Sequence, residues 1–233
     1  MKRPVVYTAF SKGYDHLQPP AAHWRDAVDF VAFLEETPPT PGWEIRPLHQ
    51  GFTDPCRNAK IHKILSHVYF PDQEYTMWVD GSISITTALS FAELAEIYLG
   101  DCDLAVFKHR RRQCVYLEAL ACLEQKKDDP EIIYRQVELY RSKKYPLNNG
   151  LIEGCVLLRR HTPQIRRFNE QWHDIITHYS RRDQLSFNYV AHQLKLKFRH
   201  FSGNYTKNPY FTYTPHCGHV PRKKKPASAA PAR

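Results

Sequence analysis

No segment of this 233-residue chain is apolar for the ~20 residues that a membrane-spanning helix needs. The N-terminal run Val5-Val-Tyr-Thr-Ala-Phe10 stops at Ser11-Lys12, too short for the core of a secretory signal. A soluble protein is therefore expected. Paired cysteines are also missing: Cys56, Cys102, Cys114, Cys122, Cys155 and Cys217 are scattered, with no Cys-x-x-Cys pair. Without a secretory signal they read as reduced and packed as small hydrophobes. His216-Cys217-Gly218-His219 has no second ligand pair at zinc-finger spacing, which argues against a zinc site. No His-x-x-x-His pair marks a zinc hydrolase, and no Gly-x-Ser-x-Gly turn marks a serine hydrolase. Nucleic-acid readers are excluded to the extent that no zinc-finger or RNA-binding signature occurs.

What is present is a hydrophobic fraction of 42% with 14 Tyr, 12 Phe and 4 Trp, which excludes a disordered chain and suffices for one large core. The formal net charge is +9. Part of it lies in the low-complexity tail Pro221-Arg-Lys-Lys-Lys-Pro-Ala-Ser-Ala-Ala-Pro-Ala-Arg233, which is too polar to fold. The rest is local, in Lys108-His-Arg-Arg-Arg112, Arg159-Arg160, Arg166-Arg167 and Arg181-Arg182. Any one such pair is most simply a solvated helix face. Together they suit a phosphorylated or polyanionic partner such as a nucleotide sugar, nucleic acid or an anionic envelope polymer.

The most informative stretch is Tyr75-Thr-Met-Trp-Val-Asp-Gly-Ser-Ile-Ser-Ile85. It reads as a strand buried on both faces, interrupted by one carboxylate, Asp80. An ionised carboxylate is too costly to bury without a cation or donors, so Asp80 is expected at the strand's end, where open α/β sheets bind ligands. Gly81 permits a sharp turn and close approach of backbone to ligand. The alternative is an Asp that merely caps the next turn.

Strand and helix patterns alternate along the rest. Strands are expected at 5–10, 43–48, 75–79, 103–108, 150–160 and 196–201. Trp24, Val28, Val31 and Leu34 fall at helical spacing. Further helices are expected over 58–67, 89–99, 113–125, 130–142, 163–179 and 181–193. The alternation predicts an α/β sandwich with a mostly parallel central sheet flanked by helices, and no internal repeat is visible.

Several pieces together resemble the glycosyltransferase-like family typified by the plant mucilage-related and turgor-regulation-defect proteins, long labelled a domain of unknown function. They are Val6-Tyr-Thr-Ala-Phe10 with Gly13-Tyr-Asp15, Arg57-Asn-Ala-Lys-Ile-His-Lys63, Trp78-Val-Asp-Gly-Ser82, and Phe107-Lys-His109 with Arg112 through Glu118. Gly150-Leu-Ile-Glu-Gly154 with Leu157-Leu-Arg159, and Arg181-Arg-Asp-Gln-Leu-Ser-Phe187, complete the set. The resemblance implies a single GT-A-like Rossmann-type domain over residues 1–203. A C-terminal extension over 204–233 would end in a disordered basic tail.

The implied activity is transfer of a hexosyl or pentosyl group from a nucleotide-diphosphate sugar to an acceptor hydroxyl. The acceptor is a glycan or another polyanionic polymer, with modified DNA included. Such a reaction needs a cation at the leaving diphosphate. Asp80 matches the start of the metal-binding Asp-x-Asp motif of GT-A enzymes, but Ser82 replaces its second carboxylate. Mn²⁺ or Mg²⁺ on Asp80, or direct neutralisation by Arg57, Lys60 and Lys63 at helical spacing, are both open. Tyr7, Thr8 and Ala9 correspond to the nucleoside-binding strand end. Trp78, Gly81, His109 and Arg112 are expected on the donor side, and Arg110 and Arg111 in solvent.

Asp183 with Gln184 is the expected catalytic pair on the acceptor side, and Glu153 the competing base. His200 and His216 lie near the place of a late metal-ligating His in some GT-A enzymes. Two other readings are an amide hydrolase, the ceramidase role attached to one branch of the family, and a nucleic-acid-binding protein working through the tail. The missing membrane anchor, unlike the Golgi-bound plant relatives, leads to the expectation of a cytoplasmic bacterial or viral enzyme.

Overall fold

A computed structural model describes residues 2–11, 13–36 and 40–215. The expected basic tail and His216 lie outside them. Seven strands form one sheet in the order β3-β2-β1-β4-β7-β6-β8. They are β1 (Val5–Ala9), β2 (Asp29–Leu34), β3 (Glu44–Pro47), β4 (Tyr75–Val79), β6 (Leu104–Lys108), β7 (Ile152–Arg160) and β8 (Arg199–His200). All neighbours run parallel except at β7, which is antiparallel to both β4 and β6. A small antiparallel pair, β5 (Ile83–Ile85) with β9 (Phe211–Tyr213), sits beside it. The expected mostly parallel α/β sandwich is what forms.

Alternation along the central strands explains why they read as unbroken apolar runs: each strand faces a helix layer on either side. Val5, Tyr7, Ala9, Trp78, Leu104, Val106 and Leu157 turn to one layer. That layer holds α1 (Pro55–Ile64), α4 (Val115–Glu124), α5 (Pro130–Ser142), α6 (Pro163–His178) and α7 (Asp183–Gln193). Val6, Met77, Val79, Ala105, Phe107, Val156 and Leu158 turn to the other, built on α3 (Phe91–Leu99) with Trp24, Phe201 and Phe211. Among the described residues no helix is long and apolar enough to cross a membrane.

Local chemistry sets the ends of the helices that carry the site. Asp54 accepts from Cys56 N, and Pro55, which has no N–H, opens α1 where a donor would have no helical partner. Ser90 and Glu93 form a reciprocal capping box on α3.

Two expectations are corrected. The helix expected from Trp24 to Leu34 is instead a 3₁₀ turn at Ala22–Trp24 followed by β2. The helical spacing was incidental, because Phe30 to Leu34 are all buried and a strand packed on two faces needs every position apolar. The strand expected at 196–201 shrinks to Arg199–His200 on the sheet edge. Residues 204–215 return to the body: β9 pairs with β5, and Phe211 is buried in the second core layer.

Candidate functional site

The ends of β1, β4 and β6 and the start of β7 open on a cleft of about 1010 Å³, covered on one side by α1, α4 and the first turn of α7. This is the edge where α/β sheets take their ligands. Asp80 follows β4 directly, its N–H held by the Cys155 carbonyl at 2.8 Å. Trp78 Nε1 donates to Asp80 Oδ1 at 2.7 Å, and Lys63 Nζ stands 3.5 Å from the same oxygen. Lys63 also donates to Asp183 Oδ2 at 2.6 Å, and Lys60 Nζ lies 3.1 Å from Asp183 Oδ1. Two carboxylates and two ammonium groups thus alternate as Asp80, Lys63, Asp183, Lys60.

Lys63 is only 3% exposed and lies over the Trp78 ring at 5.4 Å. Burial works against its charge, but the Asp183 and Asp80 carboxylates outweigh burial and raise its pKa above the ordinary lysine value. Burial likewise works against an ionised Asp183. Lys60, Lys63 and Arg182 overcome it and hold that carboxyl well below the usual range.

Gly154 closes over this array. A Cβ there would stand 3.2 Å from both Asp183 Oδ2 and Lys63 Nζ. Gly154→Ala is therefore expected to shift the Lys63–Asp183 pair by a few tenths of an ångström and lower the Tm, while far-ultraviolet circular dichroism stays unchanged. An unchanged Tm in that variant would show the pair has slack.

A second cluster lies across the cleft. His109 Nδ1 accepts from the backbone N–H of Arg112 at 2.9 Å and of Arg111 at 3.2 Å. In the neutral ring the proton then belongs on Nε2, which lies 3.7 Å from Glu118 Oε2 and 3.9 Å from Glu153 Oε1. Burial lowers the His109 pKa against the opposing pull of Glu118, so the ring is neutral near pH 7. Glu118 is also paired with Arg112.

Glu153 is the unusual member. It is 7% exposed, and among the described residues its Oε2 has no hydrogen-bond partner. Burial pushes its carboxyl up to about 7, even with Arg110 Nε 3.6 Å away. A break in the β6–β7 register aims it: Val106 faces Leu157, but the next residue, Phe107, faces Glu153. Such irregularities re-aim side chains beside sites.

Of the residues expected from sequence, the cleft collects Ala9, Lys60, Lys63, Trp78, Asp80, Gly81, His109, Arg112, Glu153, Asp183 and Gln184. Three of the donor-side expectations are corrected in placement. Tyr7 is fully buried among Phe70 and Trp78, its hydroxyl donating to the Lys63 carbonyl at 3.1 Å. Thr8, 1% exposed, points the opposite way along the strand and does not line the cleft. Arg57 donates to the Tyr179 carbonyl at 2.8 Å and pairs with Asp54 at 3.7 Å, tying α1 to the α6–α7 loop. His200 is exposed on β8, away from the cleft.

Arg110 and Arg111 are exposed as expected and also line the open cleft, Arg110 donating to Tyr205 Oη at 2.8 Å with its guanidinium 4.7 Å from the ring centre. Tyr205 and Arg182 were not anticipated in the site. No periodic or motif signal points to Tyr205, which long-range folding brings there, whereas Arg182 stands in the quoted piece Arg181–Phe187 beside Asp183. Among the described residues no group of three or more His, Cys, Asp or Glu side chains is placed to hold a metal ion.

The family model of the TOD1/MUCI70 glycosyltransferase-like domain matches residues 42–211. This chain belongs to that family. The matched segment contains Lys60, Lys63, Asp80, His109, Glu153 and Asp183, that is, both clusters of the cleft. Among curated relatives, the chain is 30% identical over 166 residues to the probable hexosyltransferase MUCI70 of Arabidopsis thaliana. That match covers 66% of this chain and 28% of the relative. It is 26% identical over 157 residues to the alkaline ceramidase TOD1 of the same plant, covering 64% of this chain and 34% of the relative. The chain thus spans about a third or less of the length of these TOD1/MUCI70 proteins. Among solved structures, the apo form of the bifunctional glycosyltransferase WbbM aligns with a TM-score of 0.44 and 9% identity, over 85% of this chain and 38% of that one.

Proposed function

We propose that this domain transfers a glycosyl group, of the hexosyl kind, from a nucleoside-diphosphate sugar to a hydroxyl of a glycan acceptor. The observation that carries the reading is the strand-end Asp80 joined to a buried Lys63–Asp183–Lys60 array, in a cleft also lined by Arg110, Arg111, Arg112, Arg181 and Arg182. The departing diphosphate gains negative charge as the sugar–oxygen bond breaks. Lys63 and Lys60 are placed to meet it, held in position before substrate arrives by Asp183. Glu153, with its carboxyl near 7 and one oxygen unpartnered, suits the role of base that takes the proton of the acceptor hydroxyl. This reading takes the competing base of the sequence analysis over the expected one: Asp183 organises the lysines, and Glu153 moves the proton.

Asp80 is the residue that would hold a Mg²⁺ or Mn²⁺ arriving on the diphosphate. Both of its side-chain contacts among the described residues fall on Oδ1, leaving Oδ2 for a ligand. One carboxylate fits an ion shared with phosphates rather than a cage made by protein alone. Such an ion would supply further neutralisation of the leaving group. For the amide-hydrolase reading, the described residues contain no set of three ligands for a catalytic zinc.

The test is thermal shift with a panel of nucleoside diphosphates, with and without Mn²⁺. At a hundredfold excess over Kd, one of them is expected to stabilise the domain by about 2.7 kcal/mol, roughly 5–11 °C for a chain of this size. Asp80→Asn, at the cleft wall rather than in the core, should keep the unliganded Tm and lose most of that shift. If no nucleoside diphosphate stabilises the wild-type protein under either condition, the reading is wrong.

A further inference from the structure

Arg159, on β7, is completely buried, yet among the described residues no carboxylate pairs with it. A buried guanidinium without a counter-charge is costly and calls for strong acceptors. Its acceptors are mainly the end of α1. Nη1 donates to the Ile64 carbonyl at 3.0 Å, with Ser66 Oγ and Asn169 Oδ1 each at 3.2 Å. Nη2 donates to the Lys63 carbonyl and lies 3.2 Å from Tyr7 Oη. Tyr7 Oη in turn donates to that same Lys63 carbonyl.

The last carbonyls of a helix have no partner inside it, and positive charge is favoured there. Here they are satisfied from within the core rather than by solvent. The residue so held is Lys63, the member of the charge array that bridges Asp80 and Asp183. Its flexible stem needs a fixed root if its ammonium is to stay between two carboxylates. The Tyr7 ring, packed edge-on to Trp78, braces the wall beneath that ammonium.

We propose that Arg159 and Tyr7, both outside the cleft, are positioning residues that fix the Lys63 ammonium between Asp80 and Asp183 by anchoring its backbone carbonyl. Their bearing on sugar transfer rests on the function proposed above; the anchoring of Lys63 does not.

Two measurements on the full chain keep these apart. Acetylation of lysines by a water-soluble amine-reactive reagent, read by mass spectrometry, reports how firmly the Lys63 ammonium is held. Tyr7→Phe removes only the hydroxyl and leaves the ring in place. It is expected to raise the Lys63 acetylation rate about five-fold, the scale of one hydrogen bond, with surface lysines such as Lys2 and Lys207 unchanged. Affinity for the stabilising nucleoside diphosphate should fall by a similar factor. Arg159→Lys, which keeps the charge but not the fork, should do more on both counts. Phe91→Leu, in the opposite core layer, supplies a destabilised control in which Lys63 labelling stays at the wild-type rate.

Equal Lys63 labelling in wild type and Tyr7→Phe, or a rise matched by Phe91→Leu at the same loss of Tm, would overturn the proposal. A rise in labelling where no nucleoside diphosphate binds even the wild type would sustain the anchoring and refute the transferase reading.

Discussion

Glu153→Gln is expected to lower turnover by about 10²–10⁴-fold while leaving nucleoside-diphosphate affinity within a factor of about two, the pattern for loss of a general base. The argument starts from burial. A carboxylate that is nine-tenths hidden, with one oxygen lacking any partner, resists ionisation until the pH approaches about 7. A base with that value is half-ionised under working conditions and still basic enough to accept a hydroxyl proton. Wild-type kcat/KM should therefore rise with pH through about 7 and level off above it. The residual activity of Glu153→Gln should lack that limb.

Stability should move the other way. A folded-state pKa raised above the unfolded one means that ionisation of Glu153 opposes folding. Its contribution is favourable below the unfolded value and is lost as pH rises through about 7. Gln at this position should thus raise Tm at pH 8 and change it little at pH 4. A variant that is both less active and less stable at pH 8 would point to a structural role instead.

What the sequence disclosed about this site depends on whether the signal was local. Asp80 was legible because a single carboxylate interrupting an apolar run has to emerge at the strand's end, and it does, beside Lys63. The helix expected over 181–193 was legible to within two residues, α7 running from Asp183 to Gln193. The partner of Asp183 was not. Spacing put Lys60 and Lys63 on one face of α1, but only the packing of α1 near α7 turns that face inward and makes Asp183 a clamp. Tyr7 was misplaced for a similar reason: in a five-residue strand, sequence does not say which side chain reaches the edge, and Tyr7 faces the helix layer mid-strand. Arg159 was hidden in a different way. A long cation in a strand reads as surface, and its burial depends on carbonyls that only the folded end of α1 presents. Glu153 owes its position to a register break that no local pattern encodes. The β2 segment was misread because two-faced burial erases the period of two that distinguishes a strand.

Asp183→Asn is expected to cost roughly 3 kcal/mol, the lower end for breaking a buried ion pair, or about 6–12 °C in Tm at pH 7. The lower end applies because neither lysine is left wholly unpaired in solvent-free surroundings. Lys63 keeps Asp80 at 3.5 Å, and Lys60, its side chain 13% exposed, can turn into the cleft. The pH dependence identifies the cause. Asp183 has a folded-state pKa held well below the usual carboxylate range by Lys60, Lys63 and Arg182, despite its burial. Its contribution is therefore present above the unfolded value near 4 and is lost as pH falls below it toward the folded one. The stability gap between wild type and Asp183→Asn, measured by urea unfolding, should be constant from about pH 8 to pH 5 and close below about pH 4. Function separates the two acidic roles further. With Asp183 gone, Lys60 and Lys63 are no longer fixed for phosphate, so nucleoside-diphosphate affinity and turnover should both fall. The rise of kcat/KM through pH 7 should persist in Asp183→Asn, since Glu153 is intact. If that variant instead keeps the wild-type Tm and acid profile but loses the pH 7 limb, Asp183 is the base and Glu153 is not.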